Sequence, residues 1–257
     1  MKLSDQYRYN DFTEKNYRYI LEQLLKEYEF SKYDYEKIFS DKKIVLLRHD
    51  LDTSLLRAVR LAEIEKEYQI QSTYFIYLQS TGYNIFEAGQ YKAVMDIMDK
   101  GHEIGLHFDY GFCKQCRNMK TRNEIEQCAV EEKELLEKLF GIKIRVMSFH
   151  NPVFNNILSI QDDYFAGMIN AYSKTISENC KYCSDSYGYW KYDRLMTVME
   201  ELHDKLQILL HPEWWTPTPM SPYERYKRLT EGRAAAMMNV YSDMMIKSGR
   251  DNIYYEE

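Results

Sequence analysis

The apolar residues of this chain fall into short compact runs separated by longer periodic stretches. Lys43–Leu47, Ser72–Tyr77, Glu103–Leu106, Ile144–Met147 and Gln207–Leu210 have the length and composition of buried strands. Between them, apolar positions recur at helical spacing. Residues 11–39 carry Ile20, Leu24, Leu25 and Tyr28 in this way, which predicts one or two amphipathic helices. Ser54–Tyr68 repeats the pattern with Leu55, Val59, Leu61, Ala62 and Ile64, and Thr53 or Ser54 is a capping residue type. Further helices are predicted over Ala88–Met98, stopped by Gly101, over Arg122–Phe140, closed by Gly141, near Asp193–Asp204, and over Pro222–Lys247. Met168–Ser184 shows only weak alternation. Strands alternating with helices predict an α/β fold with a mostly parallel sheet.

Four of the apolar runs end in reactive groups. One leads into Arg48-His49-Asp50-Leu51-Asp52, another into His107, a third precedes His150, and the last precedes His211. In α/β barrels and open α/β sheets, functional groups sit at the C-terminal ends of strands, so these side chains can meet around one pocket. Imidazole and carboxylate are the usual ligands of zinc or iron. Asp50 and Asp52 project to the same side of an extended chain, and adjoining carboxylates need a cation or a shared proton. Arg48 and His49 crowd the same turn, although a solvated turn capping the next helix would use the same residue types. His102 and His107 are five apart, which excludes the i, i+4 metalloprotease pair. On a strand they face opposite ways, so His107 is expected in the pocket and His102 in a structural position. His203 lies in a polar stretch and is expected at the surface. Trp190 and Trp214, in aromatic segments near the pocket, suit the apolar face of a sugar ring or a core equally well.

Composition narrows the picture. The 257 residues, 45% of them hydrophobic, suit one domain spanning 1–257. A net charge of -6 gives no reason to propose nucleic acid as partner. No apolar run is long enough for a membrane span, and Met1–Tyr7 is polar, so a cytoplasmic location is expected. The oligomeric state is not encoded in any pattern we recognise. Of the five cysteines, Cys113 and Cys116 form one CxxC pair and Cys180 and Cys183 another. Together they are a candidate structural metal site, although the gap between the pairs is longer than usual. Unlinked thiols are the other reading, and a reducing compartment disfavours disulfides.

Leu46-Leu47-Arg48-His49-Asp50-Leu51-Asp52, Ser72-Thr73-Tyr74-Phe75, Gly101-His102-Glu103-Ile104-Gly105-Leu106-His107 and Ile208-Leu209-Leu210-His211-Pro212 occur in an order that resembles the polysaccharide deacetylase superfamily (NodB-homology, carbohydrate esterase 4-like). The likeness is strongest to its His-Asp-x-Asp branch, associated with surface-polysaccharide gene clusters. The resemblance implies a distorted (β/α)7 barrel over about residues 43–215, with a helical N-terminal extension over about 1–42 and a C-terminal helix over about 222–250. It implies that Asp50 is the general base, Asp52 the metal-binding aspartate, His107 the first metal histidine and His211 the acid that protonates the departing amine. Asp185 and Trp190 resemble the segment that supports the catalytic groups and shapes the substrate pocket. The family's second metal histidine falls four residues after the first, where this chain has Gly111. His150 is expected to supply the missing imidazole, with Asp109 the lesser candidate. The implied activity is metal-dependent removal of an N-acyl group, acetyl first, from an amino sugar or glycoconjugate, so the expected partner is a small-molecule or glycan substrate. The metal is expected to be Zn2+, with Fe2+, Mn2+, Co2+ and Ni2+ also compatible. A metal-free sugar-binding relative and a hydrolase of another C–N bond, such as a formamide or cyclic amide, remain open.

Overall fold

The computed structural model describes residues 2–253; Met1 and residues 254–257, included in the expected domain, lie outside the described residues. In chain order the elements are α1 (Leu3–Gln6), α2 (Glu14–Leu24), β1 (Glu29–Phe30), α3 (Tyr35–Ile38), β2 (Ile44–Leu51), α4 (Leu55–Glu67), β3 (Thr73–Ile76) and α5 (Ala88–Asp99). There follow β4 (Glu103–Phe108), α6 (Tyr110–Gln115), α7 (Arg122–Phe140), β5 (Val146–Phe149), β6 (Tyr164–Phe165), β7 (Met168–Asn170), α8 (Lys174–Asn179) and β8 (Lys181–Ser184). The chain closes with α9 (Leu195–Glu200), β9 (Lys205–Leu210) and α10 (Pro222–Lys247).

Seven strands run parallel in the order β7-β5-β4-β3-β2-β9-β8. β6 joins β7 antiparallel at one edge, and β1 pairs with the start of β2. The fold is therefore the expected α/β architecture, a curled sheet of seven parallel strands left open between β7 and β8, with additional helices. Helix ends follow the capping residues. Ser54 Oγ accepts from Arg57 N at the start of α4, Thr121 and Glu124 form a capping box on α7, and Gly141 takes the left-handed conformation (φ 67°) that ends it. No helix among the described residues is long and apolar enough to cross a membrane.

β2 explains most of the site. It is buried along its whole length, and its side chains alternate between two cores. Ile44 and Leu46 face the barrel interior with Phe75, Val146 and Ala171, whereas Val45 and Leu47 face the outer helices. The alternation continues past the apolar run. Arg48 and Asp50 point inward, and His49 points outward onto Tyr74, its ring stacked at 4.4 Å. His49 is thus not part of the pocket, which corrects the expectation that it crowds the same turn as Asp50. It bonds Glu65 of α4 (2.6 Å), where Tyr17, Ser72 and Tyr74 also donate. His102 joins this network through Ser72 and the Ala62 carbonyl, in the structural role expected of it. His203 meets Glu201 instead (2.7 Å).

Inside the barrel, Gly105 of β4 lies against the Phe75 ring. A Cβ there would sit 2.6 Å from two ring carbons and 3.0 Å from the Val146 carbonyl oxygen. Gly105→Ala should cost about 1–3 kcal/mol by overpacking, read as a lower urea midpoint with an unchanged slope.

Candidate active site

The strand register brings the reactive groups to one rim. Asp50 of β2 pairs with Phe75, His49 with Leu210, and His107 of β4 with Ser148 of β5. Asp50, His107, Ser148 and His211 therefore occupy neighbouring levels at the C-terminal ends of their strands. Asp52 and His150 follow immediately after β2 and β5.

Asp52 Oδ1 lies 3.2 Å from His107 Nε2 and 3.4 Å from His150 Nδ1, and these two nitrogens are 3.3 Å apart. Asp52 Oδ2 is 3.8 Å from His211 Nε2. The protons on His107 can be assigned from its partners. Ser148 Oγ donates to Asp50 Oδ1 (3.4 Å), so it accepts from His107 Nδ1 (2.6 Å) and leaves Nε2 as a lone pair. His150 stacks on Tyr77 (4.2 Å between rings), and its Nε2 meets the Asn151 amide (2.8 Å). As placed, the Asn151 NH2 donates to Nε2, so Nδ1 carries the proton toward Asp52; a half-turn of the amide would let Nε2–H donate and free Nδ1 as a second lone pair. With the amide turned, the buried Asp52 Oδ1, which has no hydrogen-bond partner among the described residues, would face two imidazole lone pairs. Such an arrangement repels itself unless a proton or cation sits among the three atoms. The donor set therefore fits a divalent metal of the zinc or iron class.

Around this cluster, each group is held by a dedicated partner. Arg48, fully buried between the Phe75 and Tyr172 rings, donates to Asp50 Oδ2 (2.9 Å) and to Tyr172 OH (2.7 Å). Burial opposes its charge, but the facing Asp50 more than compensates and raises its pKa further. Asp185 accepts from the His211 backbone N–H (3.0 Å), from His211 Nδ1 (2.7 Å) and from Trp215 Nε1 (2.9 Å). Burial works against the imidazolium, yet Asp185, then Asp52 and Glu213, raise His211 to about 10. Burial and the charge of Asp52 push Glu213 up to about 8. Burial likewise opposes charge on Asp52, but the contacts with His107 and then His150 prevail and lower its pKa, while the facing Asp52 outweighs burial at His150 and raises it.

The pocket differs from expectation at several residues. Asp185 is completely buried with both oxygens occupied, so it positions His211 and does not meet substrate. Trp190 stacks on Phe12 (5.0 Å) and donates to Asp11 (2.9 Å), which places it in the packing of the N-terminal segment and not in a sugar subsite. Trp214 lies half-buried over Gly188; its neighbour Trp215 is the tryptophan tied to His211 through Asp185. Asp109 caps α6 through Phe112 N and accepts from Tyr77 OH, and it is not among the groups that cluster with His107 and His150. Gly111 is filled from outside: a Cβ there would lie 3.0 Å from Asn155 Cγ, on the loop that carries His150. The two CxxC pairs do not meet. Cys116 is exposed, Cys180 and Cys183 pack in different cores, and Cys113 pairs with Cys128 of α7 as a disulfide. This corrects the four-cysteine site; Cys116, Cys180 and Cys183 are unlinked thiols as expected, and Cys113 alone departs from that expectation. Sequence reasoning missed Ser148, Tyr77, Glu213 and Trp215; only Ser148, on β5 two residues before His150, carried a usable signal.

The fold and rim define an α/β barrel with a carboxylate–imidazole centre. No family model matches the chain, and no curated protein matches it. Among solved structures, the chain is similar to members of the CE4 family. A mutant CE4 family pseudoenzyme with restored enzymatic activity matches at 19% identity and TM-score 0.46, covering 75% of this chain and 64% of that one. The wild-type pseudoenzyme from Bacillus anthracis gives 18% and 0.43, over 75% and 62%. A family 4 acetyl xylan esterase from Clostridium thermocellum, in complex with a cobalt ion, gives 12% and 0.41, over 80% and 92%. The chain spans less than two thirds of the length of the pseudoenzyme structures.

Proposed function

We propose that this chain is a metal-dependent hydrolase that removes an N-acyl group, acetyl first, from an amino sugar or glycoconjugate. The observation that carries this reading is the convergence of Asp52, His107 and His150 beside Asp50 and His211 at the C-terminal rim. Asp52, His107 and His150 would hold the ion, Zn2+ first, which when bound supplies Lewis acidity toward water and the acyl oxygen. The remaining work belongs to the chain. Asp50, fixed by Arg48 and Ser148, takes the proton of the attacking water. His211, locked by Asp185 with Nε2 turned toward Asp52, returns a proton to the departing nitrogen.

Acetate release from N-acetylglucosamine oligomers tests this reading. Release should stop on chelation and return with Zn2+ or Co2+. Absence of release from every N-acetylated sugar and glycan tried, with each metal, would overturn it. Turnover of a formamide or cyclic amide instead would assign another C–N bond, and sugar binding without turnover would assign a non-catalytic relative.

Asp185→Asn should keep the metal and the fold but lower kcat by at least about a hundredfold, because the neutral amide no longer supports the His211 imidazolium or fixes its orientation. KM should change little. A matching rise in KM would mean that Asp185 serves binding instead.

A further inference from the structure

We propose that Cys113, Cys128 and Glu132 form a second cation site, which in the reduced chain binds a thiophilic divalent metal of the zinc class and staples α6 to α7. The two sulfurs and one Glu132 carboxylate oxygen all lie within 4.8 Å of one another. Both sulfurs are fully buried and Glu132 is 7% exposed. Cys128 and Glu132 stand one helical turn apart on α7, which puts both on the face turned toward Cys113 of α6.

The carboxylate is what the disulfide leaves unexplained. Glu132 Oε1 accepts from Gln79 Nε2 (2.6 Å), but Oε2 is buried without a hydrogen-bond partner among the described residues. A buried carboxyl oxygen in that state is costly, and a neutral disulfide offers it nothing. With the cysteines reduced, the same atoms present two thiolates and a carboxylate. Arg117 Nη1 lies 2.8 Å from Cys128 Sγ. The other end of this guanidinium holds the exposed Glu131 (2.9 Å), so its charge is shared between that carboxylate and the cluster. Two soft sulfur donors with one carboxylate select zinc over magnesium or calcium. Binding releases the two thiol protons to solvent. Cys116, the CxxC partner of Cys113, is exposed and outside the cluster. The site shares no residue with the Asp52 centre, so it stands whether or not the chain is a hydrolase.

Cobalt distinguishes the two centres, because only thiolate ligands give a near-ultraviolet sulfur-to-cobalt charge-transfer band. Co2+ is titrated anaerobically into full-length, metal-free protein, reduced until all five thiols are free. The band should appear in the wild type, in Asp52→Ala and in Cys116→Ser, and be lost in Cys128→Ser. Glu132→Gln should weaken Co2+ binding at this site by at least about tenfold. Circular dichroism checks each fold, and where Cys128→Ser fails to fold, the Glu132→Gln and Cys116→Ser titrations decide. The proposal is overturned by absence of the band in the reduced wild type, by its survival in folded Cys128→Ser, by its loss in Cys116→Ser, by unchanged Co2+ affinity in Glu132→Gln, or by a Cys113–Cys128 bond that resists reduction in the folded chain.

Discussion

Asp52→Ala should leave a folded protein that neither retains metal nor turns over, with kcat/KM reduced by on the order of a thousandfold or more. Asp52 supplies the only carboxylate oxygen of the Asp–His–His cluster. Removing it leaves two imidazole nitrogens 3.3 Å apart with no negative charge to draw a cation between them. The fold should survive, because the Asp52 side chain is 25% exposed and its backbone carbonyl, which accepts from Ser80 Oγ (2.6 Å), is retained. Asp50→Asn provides the contrast. In the proposed mechanism it removes the base and not a metal ligand, so metal content should stay near wild type while kcat falls by about a hundredfold or more. The amide oxygen of that variant would still accept from Arg48, although without the opposite charge, so a lower melting temperature is expected as well. Metal analysis and acetate release on the same preparations separate the two outcomes. Full activity in metal-free Asp52→Ala would end the hydrolytic proposal, and equal metal loss in both variants would end the division of roles.

How much of this was legible beforehand depended on distance along the chain. Strand-end histidines and aspartates could be read because a strand's direction and its C-terminal rim follow from local pattern. His150 could be read for the same reason, once Gly111 left an imidazole missing. What stands beside Gly111 was not legible: the Asn155 side chain fills that space, a contact between segments more than forty residues apart. The extent of β2 was also hidden. Its apolar run stops at Leu47, but pairing with β3 and β9 continues it through His49 and Asp50, and the two-residue period then turns His49 outward. Trp190 and Trp215 were indistinguishable as aromatics near a pocket; the Asp11 and Asp185 carboxylates decide which indole faces which way. The Cys113–Cys128 pairing crosses from a six-residue helix that has no apolar period to a longer one that does, so no spacing rule connects them.

Glu65→Ala should destabilise the protein by about 3–5 kcal/mol, a large part of an ordinary domain's stability, although Glu65 lies outside the Asp52–His107–His150 rim. Its carboxylate is completely buried on the outward side of β2, and Tyr17, His49, Ser72 and Tyr74 all direct hydrogen bonds to it. Those residues come from α2, from β2 and from the start of β3, so one acceptor ties the N-terminal segment to the barrel wall. Alanine would strand four buried polar groups at once, each costing about 1–3 kcal/mol if it finds no other partner. The melting temperature should fall by roughly 10 °C. Glu65→Gln keeps one oxygen acceptor and should lose clearly less. The acid limb of stability provides a second readout. Burial alone would raise the Glu65 pKa, but the charge and hydrogen bond of His49, with help from His102 and Ser72, lower it to about 2 from an unfolded value of 4.5. A carboxylate lowered in this way contributes stability that is complete above pH 4.5 and disappears as the pH falls toward 2. The difference in unfolding free energy between wild type and Glu65→Gln should therefore shrink across that window, by about 3 kcal/mol at most. A pH-independent difference, or a Glu65→Ala cost below about 1 kcal/mol, would show that the network is bystander packing and that the β2 wall is held by its apolar neighbours alone.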